Sequence, residues 1–174
     1  MKSIGIILGS DSDLPGFKAC FAILEEFEIS YEVVVSSAHR TPEQTVEWVK
    51  GARERGIGVI IAVAGGAAHL PGVVASYTTL PVVGVPVETK LAGGIDSILS
   101  ILQMPSGIPV GTMAAGKSGG VNSALYALSI LSVHDKKIEE KLVKYREKMA
   151  QNIIDKNEKI SQIGLMNYIN KLEA

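Results

Sequence analysis

Apolar residues gather into five short, nearly unbroken runs, at residues 3–8, 31–36, 59–64, 81–85 and 108–113. Most are rich in Val and Ile. A run that is apolar at successive positions has no solvated face, so each predicts a strand buried on both sides, as in a parallel sheet. Helical spacing fills the gaps. Phe17, Phe21, Leu24 and Phe27 recur every three or four residues. Val46, Val49 and Ala52 do the same after Thr41-Pro42-Glu43, where proline in the first turn suits a helix start. Residues 67–77, 95–103 and 121–133 read as further helices. This alternation predicts a doubly wound α/β fold with a parallel five-stranded sheet in the order 2-1-3-4-5.

The tail breaks the pattern. Residues 135–161 are dense in charge, with Ile138, Leu142, Tyr145, Met149 and Ile153 at helical spacing. They predict one long helix, over 20 residues against the roughly 10–14 usual in globular domains. Two readings stay open: a last helix covering the sheet, or one reaching a neighbouring subunit.

Composition narrows the class. A chain of 174 residues, 47% apolar and 20% charged, suits one folded domain. The 17 Lys and Arg nearly cancel 18 Asp and Glu, which argues against a nucleic-acid footprint or a polybasic membrane surface. A single cysteine, Cys20, excludes an internal disulfide and a cysteine-built zinc cluster. The start of the chain does not read as a signal peptide, and no apolar run is long enough to span a bilayer. A soluble cytoplasmic protein is expected.

In an open parallel sheet, ligands bind beyond the carboxyl ends of the strands. After strand 1 comes Gly9-Ser10-Asp11-Ser12-Asp13. Its hydroxyls and the amides of the following helix suit a phosphate, and Asp13 can accept from sugar hydroxyls. The same residues also suit plain N-capping by Ser12 or Asp13. After strand 2 comes Ser36-Ser37-Ala38-His39-Arg40-Thr41-Pro42. Arg40 offers a permanently charged fork for an anion, and a histidine can both give and take a proton near neutrality. After strand 3 comes Ala64-Gly65-Gly66-Ala67-Ala68-His69-Leu70-Pro71-Gly72, whose small residues leave backbone bare for a planar ring. His69 is its only polar side chain. It reads either as a structural histidine or as a partner of His39. The loops at residues 86–94 and 103–107 can each wall a pocket.

Gly111-Thr112-Met113-Ala114-Ala115-Gly116-Lys117-Ser118 fits the phosphate-loop pattern G-x-x-x-x-G-K-[ST]. Its context does not. The first glycine falls inside an expected strand, and no strand ends in an Asp to help hold magnesium. Lys117-Ser118 reads instead as a helix start. No G-x-G-x-x-G, G-x-S-x-G or H-E-x-x-H is present. A non-catalytic binding module remains, and it would need Arg40 and the serines but not His39.

Taken in series, five segments closely resemble the PurE family of purine synthesis. They are Gly9–Asp13, Ser37–Pro42, Ala64–Gly72, Asp96–Thr112 and Gly116–Leu125, in order and at consistent spacing over about residues 4–135. The resemblance implies a three-layer αβα sandwich, flavodoxin-like, with a long C-terminal helix. It also implies a mutase or isomerase that converts N5-carboxyaminoimidazole ribonucleotide into 4-carboxy-5-aminoimidazole ribonucleotide by CO2 transfer. The alternative branch carboxylates aminoimidazole ribonucleotide directly; His69-Leu70-Pro71 looks like the mutase branch.

By the same resemblance, Ser12, Ser37 and Arg40 would hold the substrate phosphate, with Ser10 beside them, and Asp13 the ribose hydroxyls. His39 would be the general acid/base, with His69 as a second catalytic residue. Ala64, Gly65, Ala68, His69 and Leu70 would line the base and carboxylate pocket. No metal or cofactor is implied. The implied partners are further copies of the chain, as an octamer, and an ATP-dependent synthase supplying the carbamate. Residues 1–133 would form the catalytic domain and residues 134–174 a helical extension on a neighbouring subunit. One segment departs from the family pattern: Thr89-Lys90-Leu91-Ala92-Gly93-Gly94 sets its leucine one place early, so no contact is assigned to it.

Overall fold

The computed structural model of the chain describes residues 2–173; Met1 and Ala174, the outer ends of the two expected domains, lie outside the described residues. The elements run β1 (Ser3–Leu8), a 3-10 turn (Asp11–Asp13), α1 (Leu14–Glu26), β2 (Tyr31–Val35), α2 (Pro42–Lys50), β3 (Ile57–Ala64), α3 (Leu70–Ser76), β4 (Val82–Pro86), α4 (Ile95–Leu102), β5 (Gly111–Thr112), α5 (Gly116–Ser132), α6 (Lys136–Ile163) and α7 (Leu165–Glu173). All pairings are parallel and the order is β2-β1-β3-β4-β5, as expected.

The unbroken apolar runs have their cause in two cores, one on each face of the sheet. Ile4, Ile6, Leu8, Ile61 and Val83 pack against Phe17 and Leu24 of α1 and Leu128 of α5. Ile7, Ile60, Ala62 and Val82 face Val49 of α2, Val74 of α3 and Ile101 of α4. Neither face of β1 or β3 meets water. Each buried Ile or Leu side chain contributes about 1.5–3 kcal/mol to this arrangement. The result is the expected three-layer sandwich, flavodoxin-like in its strand order.

Three elements depart from the sequence reading. The expected strand at 108–113 pairs only through Gly111 and Thr112, which sit beside Val83 and Gly84. Pro109 has no N–H to give a ladder, so Ile108 and Val110 pack into the second core without pairing. The helix expected from residue 67 starts at Leu70. Gly66 turns the chain with φ +68, a conformation glycine takes without strain, and leaves Ala67–His69 as loop. In the tail, α6 runs two residues past the expected helix end, to Ile163, Gly164 interrupts it at φ 82, and a separate α7 follows.

α6 starts on Asp135, whose side chain accepts from the N–H groups of Lys137 and Ile138. Its first turns are anchored. Ile138 enters the first core, Tyr145 packs on Phe27 at 5.7 Å between ring centroids, and Lys141 donates to the Phe27 carbonyl at 2.7 Å. Farther along, Met149, Ile153 and Ile154 are exposed. No helix among the described residues is long and apolar enough to cross a membrane.

Candidate active site

A cavity of about 510 Å³ opens at the carboxyl ends of β1, β2, β3 and β4. From β1 and β3 the chain departs to opposite sides of the sheet, which is where such folds leave a crevice. Its walls include Ser10, Asp13, Ser37, His39, Arg40, Ala64, Gly65, Ala68, His69 and Leu70. The structure thus brings together every site residue expected from sequence except Ser12.

The first loop holds itself in shape. Ser10 caps the 3-10 turn by accepting from the Ser12 N–H, and the Ser12 hydroxyl donates to Ser10 Oγ at 2.8 Å. This self-capped turn engages the Ser12 hydroxyl, and Ser12 does not line the cavity. It also removes the capping alternative for Asp13, which begins α1 without a side-chain cap bond. Asp13 is instead half-buried at the cavity wall. Burial pushes its carboxyl above the usual range, the Ser12 hydroxyl pulls it partly back, and nearby Asp11 adds to the rise.

The second loop is braced by hydroxyls. The buried Ser36 Oγ lies 3.0 Å from Thr41 Oγ1 and 2.8 Å from Thr45 Oγ1. The Ser37 N–H donates to Thr41 Oγ1 at 2.9 Å, and the Thr41 N–H donates back to the Ser37 carbonyl. The turn that carries His39 and Arg40 is therefore tied at both ends to α2. Arg40 Nη2 reaches across to donate to the Gly9 carbonyl at 2.9 Å, joining the first two loops. Its guanidinium is in no ion pair among the described residues, which leaves further N–H groups to meet an anion.

His39 Nε2 and His69 Nδ1 are 2.7 Å apart, with the rings nearly perpendicular at 86°. At that distance one nitrogen donates and the other accepts, so the contact fixes complementary tautomers on the two rings. Both histidines are exposed at the cavity mouth, beside the bare surface of Ala64, Gly65 and Ala68. The cavity thus combines a histidine pair able to handle a proton with Arg40 and Ser10, whose N–H and hydroxyl groups suit an anion.

Val87, Glu88 and Thr89, from the loop at residues 86–94 that the sequence offered as a pocket wall, line the cavity, although no contact had been assigned to them. Their position directly after β4 was the available signal. The loop at 103–107 does not line this cavity. Lys117 of the phosphate-loop look-alike lies exposed on the first turn of α5 and does not line the cavity. Among the described residues, no group of three or more His, Cys, Asp or Glu is placed to hold a metal ion.

An open parallel sheet with a polar crevice at its topological switch point defines a flavodoxin-like α/β protein. Within that class the match is particular. A sequence model of the AIR carboxylase family covers residues 3–152, and the chain belongs to that family. The N5-carboxyaminoimidazole ribonucleotide mutase of Thermotoga maritima is 51% identical over 99% of this chain and 100% of its own length. That of Pyrococcus abyssi is 54% identical over 97% and 96%. The crystal structure of Treponema denticola PurE is similar at a TM-score of 0.81 and 30% identity, covering 94% of this chain and 99% of that one.

Proposed function

We propose that this protein is a mutase of purine biosynthesis, converting N5-carboxyaminoimidazole ribonucleotide into 4-carboxy-5-aminoimidazole ribonucleotide. The observation that carries the reading is the placement of His39 in one crevice with Arg40, Ser10 and Asp13. A ribonucleotide needs both ends: a cationic, hydroxyl-lined end for the 5′-phosphate and ribose, and an acid/base group at the ring. Ser37 and Arg40 take the phosphate, and Asp13 the ribose hydroxyls. Ala64, Gly65, Ala68 and Leu70 offer the flat, uncharged surface on which the imidazole lies.

The chemistry closes on one imidazole. Protonated His39 gives its proton to the carbamate nitrogen as the N–C bond breaks, leaving the ring amine and CO2. Ring carbon C4 then attacks the trapped CO2, forming the new C–C bond. Neutral His39 removes the C4 proton, which restores the aromatic ring and returns His39 to its starting state. His69, in contact with Nε2, orients the ring and fixes its tautomer. Holding CO2 beside C4 supplies the proximity that a bimolecular reaction lacks. The scheme uses no ATP, biotin or metal.

The same reading places the protein in the cytoplasm, downstream of an ATP-dependent synthase that makes the carbamate. It also makes residues 1–133 the catalytic domain and the helical extension a contact between copies, in an octamer. Support comes from exposed apolar residues on α4 (Ile95, Leu99, Leu102) and along α6 and α7 (Ile153, Ile154, Leu165, Met166), which a single chain leaves in water.

Purified protein assayed with each ribonucleotide, with and without labelled bicarbonate, tests the activity. Interconversion without dependence on added bicarbonate supports the mutase. Strict dependence on bicarbonate supports the direct carboxylase, and no turnover with either substrate removes both.

A further inference from the structure

Two walls of the cavity meet on one helix that does not itself line it. The first turn of α4 presents Asp96 and Ser97 to the loops that follow β4 and β3. The Thr89 hydroxyl donates to Asp96 Oδ1 at 2.6 Å. The fully buried Ser97 Oγ accepts from the Gly66 N–H at 2.9 Å. One turn on, Ser100 Oγ lies 2.7 Å from the Asp96 carbonyl and 3.3 Å from the Gly66 carbonyl. Both polar groups of the Gly66 peptide position are thus engaged by α4, at the turn just before Ala68 and His69. The Thr89 hydroxyl holds the Asp96 carboxyl below the usual range, burial opposes this, and bonds from Ser97 add to the lowering.

We propose that Asp96 and Ser97 are positioning residues for the reaction: a clip on α4 that sets the wall at Thr89 against the loop bearing His69. This rests on the reading of the cavity as the carboxylate-transfer site. The clip reaches only the imidazole end. The phosphate end hangs on the loops after β1 and β2, held by Ser10, Thr41 and the Arg40–Gly9 bond, none of which touches α4. Loosening the clip therefore misaligns His69 with His39 and leaves the phosphate grip alone. A purely structural role would instead lower the folded fraction without separating kcat from KM.

The test compares Ser97→Ala, Asp96→Asn, Thr89→Val and Thr89→Ser by steady-state kinetics, with thermal melts as a folding control. A displacement well under 1 Å at the reacting groups predicts kcat lower on the order of tenfold in the first three, with KM within about twofold of wild type. Thr89→Ser keeps the hydroxyl and restores wild-type kcat. A second readout does not depend on turnover. In NMR spectra of the three histidines, the ring signals of His39 and His69 move in Ser97→Ala, while those of His134, at the opposite end of the sheet, stay put. Wild-type kcat in Ser97→Ala and Asp96→Asn, or unmoved His69 signals, overturns the clip. Moved His69 signals in a protein inactive on both ribonucleotides uphold the clip and overturn the substrate reading alone. Should Ser97→Ala fail to fold, Thr89→Val decides: unchanged kcat there overturns the proposal.

Discussion

His39 Nε2 and His69 Nδ1 touch at 2.7 Å although 30 residues of chain separate them. The strand order makes this possible. β2 and β3 flank β1, so the loops that leave their carboxyl ends straddle the first loop and meet through the two rings. Each ring alone would be a surface histidine; together, on the cavity wall, they fix one another's tautomer. His69→Asn removes the ring partner while leaving His39 in place. Its kcat falls roughly 10–100-fold, less than loss of the acid/base group itself. Because His69 is exposed, urea unfolding places the variant within about 0.5 kcal/mol of wild type.

Asp13 lies half-buried on the cavity wall, where its charged form costs stability. An acid whose folded-state pKa is raised binds its proton more tightly in the native protein than in the unfolded chain. Its deprotonation therefore weakens folding. The penalty is absent below the ordinary value of 3.8 and complete above the raised one. Asp13→Asn removes it: the melting temperature at pH 7 rises, and the gain vanishes as pH drops below 3.8. Calorimetric melts across that range check the sign. The same variant binds ribonucleotide more weakly.

Arg40 spans two loops by donating to the Gly9 carbonyl, so it enters the complex already oriented. Arg40 is exposed, so the buried-pair figure of about 2–4 kcal/mol is an upper bound; Arg40→Ala weakens ribonucleotide binding by about 1.5–3 kcal/mol, read by titration calorimetry. Unchanged affinity would move the phosphate to another part of the protein.

The strands were legible because burial on both faces leaves no room for polar residues in β1 and β3. The same logic misread residues 108–113, where Ile108 and Val110 are apolar through packing while Pro109 forbids the pairing. The loops bearing Ser10, His39 and His69 were legible from the rule that sites lie beyond strand ends. The direction of the Ser12 hydroxyl was not, since it follows from the local geometry of the 3-10 turn. Nor was the link between Gly66 and Ser97, 31 residues apart, which exists only once α4 has packed. α7 carries apolar Leu165, Met166 and Leu172, but its start depends on the break in the helix at Gly164.

The anchored part of α6 ends near Lys148, which reaches Glu26 at 3.6 Å. A chain ending at residue 148 keeps Ile138 and Tyr145 and so keeps its fold. Sedimentation velocity finds it in smaller assemblies than the full chain. An unchanged assembly would show that α7 and the end of α6 join no copies.

The most direct measurement is the pairing of turnover with binding in His39→Asn. Asparagine keeps a polar side chain of similar reach but cannot exchange a proton at neutral pH. The account predicts ribonucleotide affinity within about threefold of wild type, and turnover reduced by at least about 10²-fold. A variant that interconverts the two carboxylated ribonucleotides at the wild-type rate would contradict it.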